Sequence, residues 1–178
     1  APAAFFRVQG CTQACIWCDT QEVWRFGNPY TVAEIFKIME DADLIRKFKE
    51  GHHLVFTGGS PLLQQKKLSF LIEKFIERYG FKPYIEIENE SVLAPSYEMI
   101  EFVNCWTNSP KLENSFNVKD FRFQPSVLKQ LSALSNSWFK FVVTSDVEWE
   151  EIEEDFLKTE LIRKDQIILM PLGATQDE

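Results

Sequence analysis

Three of the chain's four cysteines, Cys11, Cys15 and Cys18, fall within eight residues of one another. A secreted disulfide framework would spread its cysteines to staple distant loops, so this clustering reads as ligation of a metal or cluster in a reducing compartment. The compartment expected is the cytoplasm. Three thiolates at C-x3-C-x2-C spacing can wrap one face of a four-iron, four-sulfur cubane. Such a cluster usually takes four cysteines, so a three-cysteine loop leaves one iron open. Open metal positions generally signal chemistry and closed ones signal structure. The competing reading is a structural zinc site completed by His52 or His53. Cys105 stands apart and is expected to be a buried, inert thiol, since free Cys often behaves as a small core hydrophobe.

The elements that must position these residues alternate between strand and helix. Short apolar runs rich in β-branched and aromatic residues predict strands at Ala3–Val8, Leu54–Thr57, Tyr84–Ile87, Phe102–Trp106, Trp138–Val143 and Gln166–Met170. Thr31 and Glu34 form a capping box ahead of Ile35, Ile38 and Met39 at helical spacing. Leu68–Tyr79 carries Leu68, Leu71, Ile72, Phe75 and Ile76 on one face, and Val127–Leu134 and Trp149–Leu157 are further helices. A short helix around Tyr97–Phe102 is the most the stretch between the third and fourth strands offers. Alternation of this kind argues for a parallel sheet with right-handed crossovers, as an open or partial β/α barrel. Sites in such folds sit at the carboxyl ends of strands. The cysteines, Thr57-Gly58-Gly59 and Met170-Pro171 all fall there.

The 178 residues fit one domain, and no apolar run approaches the roughly 20 residues of a membrane helix. The net charge is −8, with no clustered Lys and Arg, which disfavours direct binding to nucleic acid. Taken singly, Arg7, Lys111 and Lys140 read as solvated charges. Glu86 and Glu88 alternate on a strand and read as solvated too, although either could bond a ribose hydroxyl.

The cysteine spacing, with Trp17 before the last cysteine, resembles the signature of the radical S-adenosylmethionine (SAM) superfamily. The resemblance implies a partial (β/α)6 barrel of the radical SAM type, an α/β fold of parallel strands with helices outside, as one domain over 1–178. It also implies that the open iron chelates the amino and carboxylate groups of SAM. An electron from the 4Fe–4S cluster then breaks a sulfur–carbon bond to give a 5′-deoxyadenosyl radical. Thr57-Gly58-Gly59-Ser60-Pro61 resembles the superfamily's GGEP motif, which contacts the methionyl amino group. Ser60 stands where Glu is usual, and a hydroxyl offers only a neutral acceptor. Backbone carbonyls around Gly59 would carry more of that contact.

Within the superfamily the chain resembles the 7-carboxy-7-deazaguanine synthase family. The matching stretches are Phe6–Cys11, Cys18-Asp19-Thr20, Thr57-Gly58-Gly59, Ser109-Pro110-Lys111, Lys140–Val143 and Met170–Gly173. The resemblance implies SAM contacts from Trp17, Cys18, Asp19, Gly59, Ser109, Pro110 and Lys111, with Met170 near the adenine. It implies substrate contacts from Arg7 and Thr57, and a Mg²⁺ ligand at Thr20. The substrate implied is 6-carboxy-5,6,7,8-tetrahydropterin, whose ring contracts with loss of ammonia in queuosine or 7-deazapurine biosynthesis. A homodimer and an electron donor such as flavodoxin belong to the same expectation. The family's opening Gln-Gly-Glu-Gly segment and its final strand lie outside the chain, and Ser91 stands where the family tends to have Gly. Two other readings stay open: another radical SAM enzyme such as a glycyl-radical activase, and a non-catalytic, metal-stabilised binding domain.

Overall fold

The computed structural model describes residues 1–173. In chain order its elements are β1 (Ala3–Val8), α1 (Gln21–Arg25), α2 (Val32–Asp41), α3 (Leu44–Lys49), β2 (His53–Gly58), α4 (Gln65–Tyr79), β3 (Tyr84–Asn89), α5 (Tyr97–Phe102), β4 (Cys105–Asn108), α6 (Lys119–Arg122), α7 (Pro125–Ser132), β5 (Ser137–Val143), α8 (Asp146–Ile152) and β6 (Ile167–Pro171). The strands form one six-stranded sheet in the order β1-β2-β3-β4-β5-β6, and every neighbouring pair is parallel. Sequential order with right-handed crossovers carries all connections to one side of the sheet. The result is a partial α/β barrel with helices outside. Among the described residues no helix is long and apolar enough to cross a membrane.

The period-2 alternation of a strand divides this sheet sharply. One face carries Val8, Leu54, Phe56, Ile85, Ile87, Trp106, Phe139 and Phe141, all buried against Leu68, Leu71, Ile72, Phe75, Met99, Leu128, Leu131, Ile152 and Phe156. Burying each large apolar side chain contributes about 1.5–3 kcal/mol, so this layer supplies most of the drive to fold. The opposite, concave face carries Arg7, Thr57, Glu88, Lys140 and Met170. Its charged residues face a cavity instead of a packed interior.

Four details depart from the sequence reading. The capping box at Thr31 is present, but the buried residues of α2 are Phe36 and Met39, while Ile38 is 53% exposed. The run Phe102–Trp106 is split: α5, capped by Ser96, takes Phe102, and β4 begins only at Cys105. Asn104 makes the break by accepting a hydrogen bond from the Ile85 amide at 3.0 Å. The helix expected over Trp149–Leu157 starts earlier, at Asp146, and ends in a π turn over Glu153–Leu157. Helices α1, α3 and α6 are short and carried no strong periodic signal.

Beyond β3 the chain turns sharply at Ser91, whose φ of 66° is left-handed. Its amide donates to Asn89 Oδ1 at 2.8 Å, yet its buried hydroxyl has no partner among the described residues. A non-glycine residue in this region is strained, and a buried hydroxyl without a partner adds to the cost. Ser91→Gly is therefore expected to stabilise the protein by about 1 kcal/mol, a rise in melting temperature of roughly 2–4 °C. Thermal unfolding followed by circular dichroism reads this out; a lowered melting temperature would show that the turn is not strained.

Candidate active site

β1 delivers the chain to Gly10, and the cysteine loop that follows is clamped from two sides. From the β2 side, the Ser60 amide donates to Gly10 O at 2.7 Å and the Thr12 amide donates to Ser60 Oγ at 2.8 Å. From the segment after β4, Asn117 Oδ1 accepts from the Ala14 amide at 2.9 Å and Ser115 O accepts from the Ile16 amide at 3.3 Å. That segment is itself pinned by the buried Arg122, which donates to Lys111 O at 3.0 Å and Asn117 O at 3.2 Å and pairs with Glu151 at 2.6 Å.

All three sulfurs have hydrogen-bonding neighbours, with Thr20 Oγ1 3.7 Å from Cys18 Sγ. Cys11 Sγ accepts from the Gln13 amide at 3.4 Å and lies 3.8 Å from the Ser60 hydroxyl; Cys15 Sγ accepts from Asn117 Nδ2 at 3.3 Å. Burial pushes both thiols up in pKa, and these donors together with Lys111 oppose the rise. Donors aimed at sulfur are what ligating thiolates need, and they tune the potential of an iron–sulfur cluster. A cubane therefore fits this loop. Among the described residues no three His, Cys, Asp or Glu side chains converge on one ion. A cubane spreads its thiolates over three irons and does not require that convergence.

The zinc reading fails on position. His53 stacks on Tyr84 with ring centroids 4.0 Å apart and bonds Glu86. It starts β2, whereas the cysteine loop lies beyond the opposite end of the sheet, roughly 15 Å away at about 3.3 Å per strand residue. Cys105 is corrected as well. It is half-buried on the concave face opposite Glu86 rather than in the core, and burial and that carboxylate push its thiol up in pKa. A thiol so raised stays protonated at neutral pH and is unreactive for that reason.

Glycine is required where β2 meets the loop. Gly58 has a φ of 110°, and a Cβ on Gly59 would lie 1.8 Å from Gly10 O. Ser60 then turns away from the cavity: it is fully buried and bonded to Thr12 beside Cys11. The residue that departs from the GGEP pattern thus braces the cysteine loop and does not line the cavity.

The cavity, of about 330 Å³, is walled by Cys11, Cys15, Cys18, Trp17, Asp19 and Thr20 from the loop and by Arg7, Thr57 and Gly59 from the first two strands. Ser109, Lys111, Lys140 and Met170 close it from the far side. Pro110, grouped with Ser109 and Lys111 in the sequence reading, is buried and does not line it. Lys111 donates to Ser109 Oγ at 3.0 Å and stands 5.3 Å from the centre of the Trp17 ring. Burial lowers the pKa of its ammonium, with Cys15 and Glu90 opposing the fall. On the concave face Thr57 donates to Glu88 Oε2 at 2.9 Å, and Lys140 lies 3.6 Å from Glu88 Oε1. Sequence reasoning left out Gln13, Trp24, Asn89 and Glu90, which also line the cavity. Trp24 gave no signal. The acidic run Glu88-Asn89-Glu90 at a strand's carboxyl end was the available clue to Glu90.

A three-cysteine loop beyond the first strand of an open parallel barrel, facing a cavity at the carboxyl ends of the strands, defines a radical SAM enzyme. A family model described as "4Fe-4S single cluster domain" matches residues 3–102. The 7-carboxy-7-deazaguanine synthase of Pyrobaculum aerophilum is 31% identical over 179 residues, which is 99% of this chain and 73% of the relative. Those of Hyperthermus butylicus and Aquifex aeolicus are 30% and 27% identical, each over 96% of this chain and 68% of the relative. The chain belongs to the 7-carboxy-7-deazaguanine synthase family.

With three clustered ligands there is no spare. Cys15→Ala is expected to lose cluster iron and labile sulfide after anaerobic reconstitution, whereas Cys105→Ala retains both. Full iron loading of Cys15→Ala would contradict the ligand assignment.

Proposed function

We propose that the chain binds SAM at a 4Fe–4S cluster held by Cys11, Cys15 and Cys18 and, with Mg²⁺, converts 6-carboxy-5,6,7,8-tetrahydropterin to 7-carboxy-7-deazaguanine with loss of ammonia. The observation that carries this reading is the shared cavity: the three cysteines and the charged concave face, Arg7, Thr57, Glu88 and Lys140, open onto the same space. When bound, the cluster and SAM supply the electron and the radical that start the reaction. The remaining work falls to the protein's own residues.

Trp17 offers an aromatic surface, and Lys111 a cation to meet the carboxylate of SAM. Asp19, Ser109 and the backbone at Gly59 complete the SAM contacts, with Met170 on the adenine side. Arg7 and Lys140 provide cations for the substrate's carboxylate. Thr57 and Glu88, already bonded to each other, offer a hydroxyl and a carboxylate to the polar edge of the pterin. Closing these groups around the reactants excludes water from a reactive intermediate. Electron delivery by a donor such as flavodoxin, a homodimeric assembly and use of the product in queuosine biosynthesis rest on the family resemblance alone, and a cytoplasmic location rests on the clustered cysteines.

Thr20 supports the Mg²⁺ part of the reading. It occupies the N-cap position of α1, where threonine ordinarily bonds the backbone, yet its side chain makes no capping bond. Its hydroxyl shares a 3.7 Å hydrogen bond with Cys18 Sγ, and the residue lines the cavity. Mg²⁺ takes hard oxygen donors, keeps several waters and often uses one or two protein groups plus substrate oxygens. Thr20→Val keeps the shape and removes the oxygen. At saturating SAM it is expected to retain the cluster and SAM binding but to form product more slowly and with a weaker response to Mg²⁺. Anaerobic product formation across a Mg²⁺ titration tests both levels. Absence of product from the wild type refutes the proposed reaction, and identical titrations refute Thr20 as the ligand.

A further inference from the structure

Glu90 is the one buried carboxylate of the cavity that the reaction described above leaves without a task. It follows β3, is 5% exposed and lines the cavity wall. The Thr12 hydroxyl donates to its Oε1 at 2.8 Å, while Oε2 is buried and has no hydrogen-bond partner among the described residues. Leaving a carboxylate oxygen buried and unpaired is costly, more so than for a neutral group. Two structural features hold it there regardless: the left-handed turn at Ser91 and the Thr12 hydroxyl, which is also 3.1 Å from Ser60 Oγ. Among the described residues no Lys or Arg lies within salt-bridge distance of Glu90. Lys111 feels the charge of Glu90 together with those of Cys15 and Cys11.

We propose that Glu90 is the anionic anchor for the ammonium group of the amino-acid end of SAM. The inference rests on the proposed binding of SAM in this cavity. The charges are complementary: Glu90 offers an acceptor and Lys111 a cation in the same cavity, a match for a zwitterionic amino acid. Ser60 cannot take the part, because its hydroxyl is committed to Thr12 beside Cys11 and does not reach the cavity. Mg²⁺ is a poorer partner for Glu90, since it keeps several waters and demands near-octahedral coordination by hard oxygens. An ammonium instead needs single acceptors at hydrogen-bond distance.

Calorimetry on anaerobically reconstituted, cluster-loaded protein tests this with three ligands. SAM carries ammonium and sulfonium, S-adenosylhomocysteine carries the ammonium alone, and 5′-methylthioadenosine carries neither. Glu90→Gln keeps the volume and the Thr12 bond, with iron content and melting temperature as controls. It is expected to weaken SAM and S-adenosylhomocysteine alike by about tenfold to a hundredfold, the scale of a charged hydrogen bond, and to leave 5′-methylthioadenosine within about twofold. If Glu90→Gln does not load the cluster, Glu90→Asp, which withdraws the carboxylate by one methylene, is expected to give the same pattern. Wild-type affinity for SAM and S-adenosylhomocysteine in the variant overturns the inference, as does a loss confined to SAM, which would mark the sulfonium as the partner. A cluster-loaded wild type that binds neither ligand overturns the SAM reading itself, and the inference with it.

Discussion

The approach of one backbone to another at the end of the sheet governs this site. A Cβ on Gly59 would sit 1.8 Å from the carbonyl oxygen of Gly10, so the turn after β2 and the start of the cysteine loop touch through main chain alone. That contact lets the Ser60 amide reach Gly10 O and the Ser60 hydroxyl reach Thr12, and so fixes where Cys11 points. Asn117 and Ser115 hold the other half of the loop. The loop has no regular structure of its own; its shape is borrowed from β2 and from the segment after β4.

The concave face bears a second constraint. A barrel of six strands does not close, and residues on its inner face are only partly packed. Arg7, Glu88 and Lys140 can be tolerated there because their charges are interspersed, and Thr57 and Lys140 both approach Glu88. Stability comes from the opposite face, where the aromatic and aliphatic side chains of the strands meet the helices. Separation of the two faces leaves the inner one free to be polar. The unpaired oxygen of Glu90 and the lowered pKa of Lys111 are costs that the outer layer sustains.

Much of this was legible because the informative features are local. The boundaries of β1 matched its apolar run, and C-x3-C-x2-C is a contiguous pattern whose chemistry follows from thiolate number. β4 was misjudged because Phe102–Trp106 is one apolar run in which a helix ends and a strand begins, with only Asn104 to mark the change. In α2 the cap, Ile35 and Met39 were legible but the exposure of Ile38 was not, since Ile38 and Met39 are adjacent and only packing against α4 decides which turns inward. Trp24, Gln13 and Glu90 reach the cavity from three separate segments, and no spacing rule joins them. The bracing of Cys11 by Ser60 was not legible, because it depends on a contact across 49 residues.

The central claim is a cluster with three protein ligands whose fourth iron faces the cavity and takes SAM. Electron paramagnetic resonance of the reduced, reconstituted protein tests it most directly, with and without SAM. The account predicts a 4Fe–4S signal whose g-values shift on addition of SAM. A four-iron signal that SAM leaves unchanged, or a reconstituted protein that holds zinc and no iron, would contradict it.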